Sequence, residues 1–390
     1  MKKADSIQEL SFFGGPLHWL GRRLGLVRGG TNTVLLGLTL GTLGWGVLLL
    51  LALTEGYGAK VFSLDVIAIH VRFLVAIPLF FLCETWVFLQ MAEFARYIVR
   101  SGLVPETSLP DLESDIHRVG RMTNSWLAEV VFLVVAFALP MIEMVAQVPV
   151  GRTGSWVSIL HSSGGAFTWT SGWYLGFCLP LFRFLVLRWL WRLGIWWYFL
   201  WRVAKLEIRL VPIHSDGAAG LGYLEIVQEE FAPLVLAISA IYSAEFAEDI
   251  SSGAMAFESL YRLAPILMLP VAALFIGPLV IFSPKLWTCR WTGMSEYMGM
   301  ASHYVTAFEN KWIRNPEASG ESQLGAADLQ SLADLTNSVN VVRGLRWIPA
   351  GQRLVMGLAA ALILPLLPLL LLKYPVNEVA ARLFQMLTGL

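Results

Sequence analysis

Long apolar stretches almost free of charge leave this chain a narrow choice of settings. Thr33 to Leu53 carries no charged residue, and Leu354 to Leu372 is nearly pure Leu, Ala, Ile and Pro. A bilayer core takes ~20 residues of helix to cross and offers backbone N–H and C=O groups no partners except each other, so such stretches read as transmembrane helices. The remaining spans read as Val66–Gln90, Trp126–Ala146, Trp169–Leu187, Phe231–Phe246 and Leu263–Phe282. A chain of 390 residues that is 56% hydrophobic and only 14% charged fits that class and not a soluble domain. The expected fold is therefore an all-α polytopic membrane bundle of about seven transmembrane helices.

Around those spans the chain divides into four parts. Residues 1–30 form an N-terminal arm whose aromatic and Leu residues alternate with Arg22, Arg23 and Arg28, as in a helix lying in the membrane interface. Residues 31–283 hold the first six spans, with cytoplasmic loops at 91–125 and 188–228. Residues 284–353 form a polar helical section, and 354–390 the last span and a tail. Lys2 and Lys3 are followed by no apolar run before Thr33, so the first span is expected to act as an uncleaved signal anchor. Within that span Gly37, Gly41, Gly44 and Gly46 permit close helix approach. Arg188 to Arg209 mixes Trp, Tyr and Arg and reads as an interfacial helix after the fourth span, with a further crossing as the alternative.

Orientation follows from counting basic residues loop by loop. Lys and Arg fall 21 on one side against 5 on the other, with Arg72 and Arg183 inside spans. The richer side is cytoplasmic by the positive-inside rule, which puts the N-terminus inside and the C-terminus outside. The expected setting is a bacterial-type inner membrane, crossed several times.

Charges at membrane depth are costly and mark candidate sites. The candidates for a polar route are Arg72, Glu84, Glu129, Glu143, Arg183, Glu229, Glu230, Glu245 and Glu248. Carboxylates outnumber bases in both the inner and outer layers on this reading, which points to an acid-rich path for cations or protons; snorkelling at the interfaces is the bland alternative. The sixth span carries Pro265, Pro270 and Pro278, read either as a broken helix lining a cavity or as a kinked packing helix.

The densest motif is the loop from Pro212 to Gly222. It offers His214 and Asp216 beside Gly217, Gly220 and Gly222. Three readings stand: a structural turn in which Asp216 caps backbone amides, a cation or proton site, or an enzymatic site handling a lipid headgroup. In the polar section Trp291, Met294, Met298, Ala301, Val305, Phe308 and Trp312 step by three and four, one apolar seam over three heptads. It is expected to pack either on the helix from Leu329 to Val342 or on the same helix of another subunit.

The six histidines are scattered, so no metal site is expected, and there is no Walker loop or Gly-x-Ser-x-Gly elbow. No cofactor and no nucleic acid are expected. The leading functional expectation is a homo-oligomeric channel or transporter for cations or protons, gated by its cytoplasmic section. The alternatives are a membrane-embedded enzyme acting on lipid or isoprenoid headgroups and a scaffold or sensor that binds a protein partner.

Overall fold

The computed structural model describes residues 14–146, 168–314 and 326–374; the side chains of Ala59 and of residues 143–146 lie outside that set. Every extended element among the described residues is a helix, and the one backbone pairing of β type is an isolated bridge between Arg28 and Asn32. After the arm helix α1 (Pro16–Arg23) come α2 (Val34–Thr54) and the long α3 (Leu64–Arg100). An amphipathic α4 (Leu109–Thr123) leads into α5 (Trp126–Ala146), followed by α6 (Trp169–Lys205), the short α7 (Tyr223–Glu229) and α8 (Ala232–Ser251). The order closes with α9 (Leu260–Val280), the hairpin α10 (Ser283–Phe308) and α11 (Ala327–Arg343), and α12 (Gln352–Leu372).

Among the described residues six helical runs are long and apolar enough to cross a membrane: α2, α3, the Glu106–Ile142 run that ends in α5, α6, the Phe257–Val280 run that contains α9, and α12. The stretch read as a fifth span, Phe231–Phe246, falls in α8, which is not among these six: its 20 residues match a bilayer in length but carry Glu245, Glu248 and Asp249 in their last turns. It packs against α3 and α12, so protein and not lipid covers much of its polar end. One expectation is corrected here. Arg188 to Lys205 is no separate interfacial helix; it continues α6 without a break, and Arg188 and Arg192 are buried in the bundle.

Close backbone approach sets the α2/α3 contact. A Cβ on Gly41 would lie 2.3 Å from the Phe73 carbonyl oxygen, and one on Gly37 2.7 Å from the Phe81 Cβ, so only hydrogen fits at either position. Gly46, by contrast, faces open space.

Prolines free carbonyls inside these helices, and neighbouring side chains answer them. Pro278 removes the N–H that would bond the Leu274 carbonyl, and the Trp197 indole N–H of α6 donates to that oxygen at 3.0 Å. Gly277 makes room, since a Cβ there would meet the same indole at 2.6 Å. The sixth span is thus a continuous helix, Pro265, Pro270 and Pro278 included.

From Leu364 onward α12 winds as a 3₁₀ helix with Pro365 and Pro368. In an i→i−3 register those prolines leave the carbonyls of Leu362 and Pro365 without donors. Ser239 and Ser243 of α8, one turn apart, donate to these two oxygens, each at 2.5 Å. Replacing both serines by alanine should lower stability in detergent by about 1 kcal/mol per bond. Thermal unfolding of the single and double variants checks this, and Ala237→Ser, one turn-face away, should not restore it.

Candidate functional site

A buried ionic cluster joins α3, α5, α6 and the arm. Glu84 is fully buried in the middle of α3, and Arg188 of α6 binds it as a fork, Nη1 to Oε2 at 2.8 Å and Nη2 to Oε1 at 3.0 Å. The same guanidinium uses Nε to reach Oε1 of Glu129 on α5 at 3.2 Å. One turn further along α6, Arg192 makes ion-pair contact with Glu84 at 2.8 Å, lies over the Phe88 ring at 4.6 Å and donates to the Gly14 carbonyl at 3.2 Å. Two carboxylates and two guanidiniums cancel, so the cluster is neutral while every member is ionised.

The arm closes this cluster. Glu129 Oε2 accepts the Leu17 N–H at 2.9 Å, in the first turn of α1. Gly15 has φ 98°, and a Cβ there would meet the Glu129 carboxylate at 2.2 Å, so the chain enters α1 on a glycine. His18 is buried beside the charges. Burial pushes its imidazole below the ordinary 6.5; Glu84 opposes the shift, and Arg192, Arg188 and Arg22 add to it.

A second layer lies near the start of α3. Arg72 pairs with Glu245 of α8 at 2.8 Å, reaches the Tyr174 hydroxyl at 3.5 Å and stands over Phe182 at 5.6 Å. Glu248 accepts the Ala68 N–H at 2.8 Å. His70 is held on both nitrogens: Nδ1 accepts from the Trp45 indole at 2.7 Å, so Nε2 carries the proton and donates to the Val61 carbonyl at 2.7 Å. Arg72 and Glu84 are 12 residues apart, about 18 Å along a helix. Between the layers α3 buries Phe73, Ile77, Phe80 and Phe81, and α6 buries Phe184 and Leu185. Arg183 sits half-buried on α6 at that level.

The expected surplus of buried acid does not exist in the inner layer. Glu84 and Glu129 face Arg188 and Arg192, which sequence reasoning assigned to a loop. Their spacing of four, on one face of a stretch otherwise apolar from Leu179 to Trp201 apart from Arg183, was the available signal. Glu229 and Glu230 lie elsewhere, at the end of α7 and in the turn that leads to α8. Glu229 meets the exposed Arg353 at 3.3 Å, while burial, and then Glu229, push the Glu230 carboxyl above its ordinary range. The side chain of Glu143 lies outside the described residues.

In the glycine loop the chain fills its own anion nest. Asp216 Oδ1 accepts the Ala218 N–H at 2.8 Å, Oδ2 accepts the Gly222 N–H at 2.7 Å, and the Gly220 N–H is shared between them. Burial would raise this carboxyl, but the amides of Ala218, Gly222 and Gly220, with His214 at 2.9 Å, hold it below its ordinary range. Gly217 and Gly220 have φ of 64° and 99°, and a Cβ on Gly220 would strike Leu103 at 2.4 Å. Arg346, just after α11, clamps the turn: it donates to the Asp216 carbonyl at 2.7 Å and pairs with Glu225 at 2.8 Å. With both carboxylate oxygens taken by amides, the loop is built as a structural joint.

Among the described residues no group of three or more His, Cys, Asp or Glu side chains is arranged to hold a metal ion. No family model matches the chain, and no curated protein or solved structure matches it either.

Two outcomes are expected from the cluster. Arg188→Leu strands Glu84 and should cost about 3–5 kcal/mol, whereas Glu84→Leu combined with Arg188→Leu should recover part of that loss; thermal unfolding across this cycle measures the coupling. A base whose pKa is lowered on folding stabilises fully above its unfolded pKa and loses that contribution as pH falls. Docking of the arm should therefore weaken below pH 6.5. Hydrogen exchange of residues 16–23 against pH would register this, and His18→Gln should flatten the profile.

Proposed function

We propose that this multi-pass membrane protein is a proton-coupled transporter or a channel for protons or small cations, held here in a closed arrangement. The reading rests on one observation: two charged layers, Arg72 with Glu245 between α3 and α8 and Glu84 with Arg188, Arg192 and Glu129 among α3, α6 and α5, lie about 18 Å apart along α3 and are separated by the aromatic waist of Phe73, Phe80, Phe81 and Phe184. Charges in such a bundle are conserved energetically only by pairing, and a pair that spans two helices is also a switch. Protonating Glu84 would leave Arg188 and Arg192 sharing Glu129 alone, which drives α6 away from α3; protonating Glu245 would release Arg72 from α8. Protons suit these layers better than hydrated cations, because Arg72, Arg183, Arg188 and Arg192 face the same path.

Seven crossings are part of the proposal, with α8 counted as the fifth on the strength of its length and central packing. The N-terminus is then cytoplasmic and the C-terminus external, in a bacterial-type inner membrane, as the distribution of Lys and Arg supports.

Reconstituted into liposomes with a trapped pH dye, the protein should carry protons down an imposed gradient. Glu245→Gln should abolish the flux in protein that still folds, with thermal unfolding lowered less than by Arg188→Leu because Glu248 stays near Arg72, and Phe81→Ala should raise the leak by opening the waist. Absence of flux from folded protein across a range of pH, voltage and cations would overturn this reading.

A further inference from the structure

An open groove separates the arm from the start of α5. It measures about 600 Å³ and is lined by Trp19 and Arg22 of α1 and, across from them, by Asn124 and Trp126 at the turn that joins α4 to α5. Trp19 and Trp126 are 60% and 65% exposed. Among the described residues none of these four side chains is held by a hydrogen bond or an ion pair, and no Asp or Glu lines the groove. Glu129 lies behind Gly15, but its two oxygens are taken by Arg188 and the Leu17 N–H. The groove therefore presents a guanidinium, an amide and two indole N–H groups, four sets of donors with one full positive charge.

We propose that this groove binds the headgroup of an anionic glycerophospholipid, whose phosphodiester accepts from Arg22, Asn124 and the two indoles. Donors without a carboxylate among them select an anion. A choline headgroup fits poorly, because Arg23 already stands over the Trp19 ring at 5.4 Å and would repel a second cation there. The setting is that of a lipid: Trp126 opens α5, and beyond it Leu127, Val131 and Val134 are exposed along the helix, an apolar wall for acyl chains. The same segment of chain closes the buried ionic cluster through Gly14 and Leu17, so a headgroup bound on its outer side holds the arm in its docked place. The proposal stands apart from conduction, since a chain that passes no proton would bind the lipid in the same way.

The test mixes the full-length chain in a neutral maltoside detergent with dioleoyl phosphatidylglycerol and counts bound lipid by native mass spectrometry. The chain should retain phosphatidylglycerol in preference to dioleoyl phosphatidylcholine, and Arg22→Gln should weaken that retention roughly tenfold, the worth of a hydrogen bond to a charged group. Arg353→Gln, which removes an exposed arginine outside the groove, should leave it near the parent level. Bound lipid should also slow hydrogen exchange of residues 16–23 in the parent chain and not in Arg22→Gln. Equal losses in the two variants, or no preference for phosphatidylglycerol, would mean diffuse attraction and overturn the proposal. Displacement of the lipid by an equal concentration of inorganic phosphate would overturn it in favour of a soluble anion, and retention that appears only once residues 2–12 are removed would overturn it in favour of the chain's own N-terminal segment.

Discussion

Glu84 can be where it is only because two guanidiniums are there too. A lone carboxylate in the middle of a membrane helix is untenable, and so is a lone arginine; brought together with Glu129 they make a neutral unit that the bundle can enclose. The unit reaches four elements at once. It aligns α3 with α6, holds α5 against both, and draws the arm onto the bundle through Gly14 and Leu17. Such a clasp contributes little net stability over an apolar packing of the same shape, but it admits one register of these helices and penalises others.

The same rule of satisfied polar groups explains features that look unrelated in the chain. Pro278 is tolerable because Trp197 supplies a donor and Gly277 supplies the space. Pro365 and Pro368 are tolerable because Ser239 and Ser243 stand one helical turn apart on α8 and meet carbonyls three residues apart on a 3₁₀ segment. Asp216 is tolerable because the glycines after it turn their amides inward. In each case a residue that weakens the backbone is matched by one that repairs it from elsewhere in the chain.

Function, on this view, is a matter of which of these pairings can open. The Pro/Ser and Pro/Trp pairings are neutral and local. The carboxylate–guanidinium pairings join different helices, with buried aromatic side chains between the two layers, and it is their opening on which the proposed proton coupling turns. The glycine loop belongs with the first kind: clamped by Arg346, it ties the α10/α11 hairpin to the connection between α6 and α7.

Much of the architecture was legible in the sequence, because hydropathy and helix length are local properties that a bilayer reads one segment at a time. The apolar runs, the close packing of Gly37 and Gly41, and a structural reading of Asp216 could all be drawn from residues near one another in the chain. The partners of the charges could not. Glu84, Glu129 and Arg188 are 45 to 104 positions apart, and an excess of acid read from three spans became a balance once α6 ran on past Leu187 as one helix. Sequence by itself determined that this chain forms apolar helices long enough for a membrane and where its strains fall. Tertiary structure alone decided how each strain is relieved, because the donor or counter-charge comes from a helix that only packing brings near.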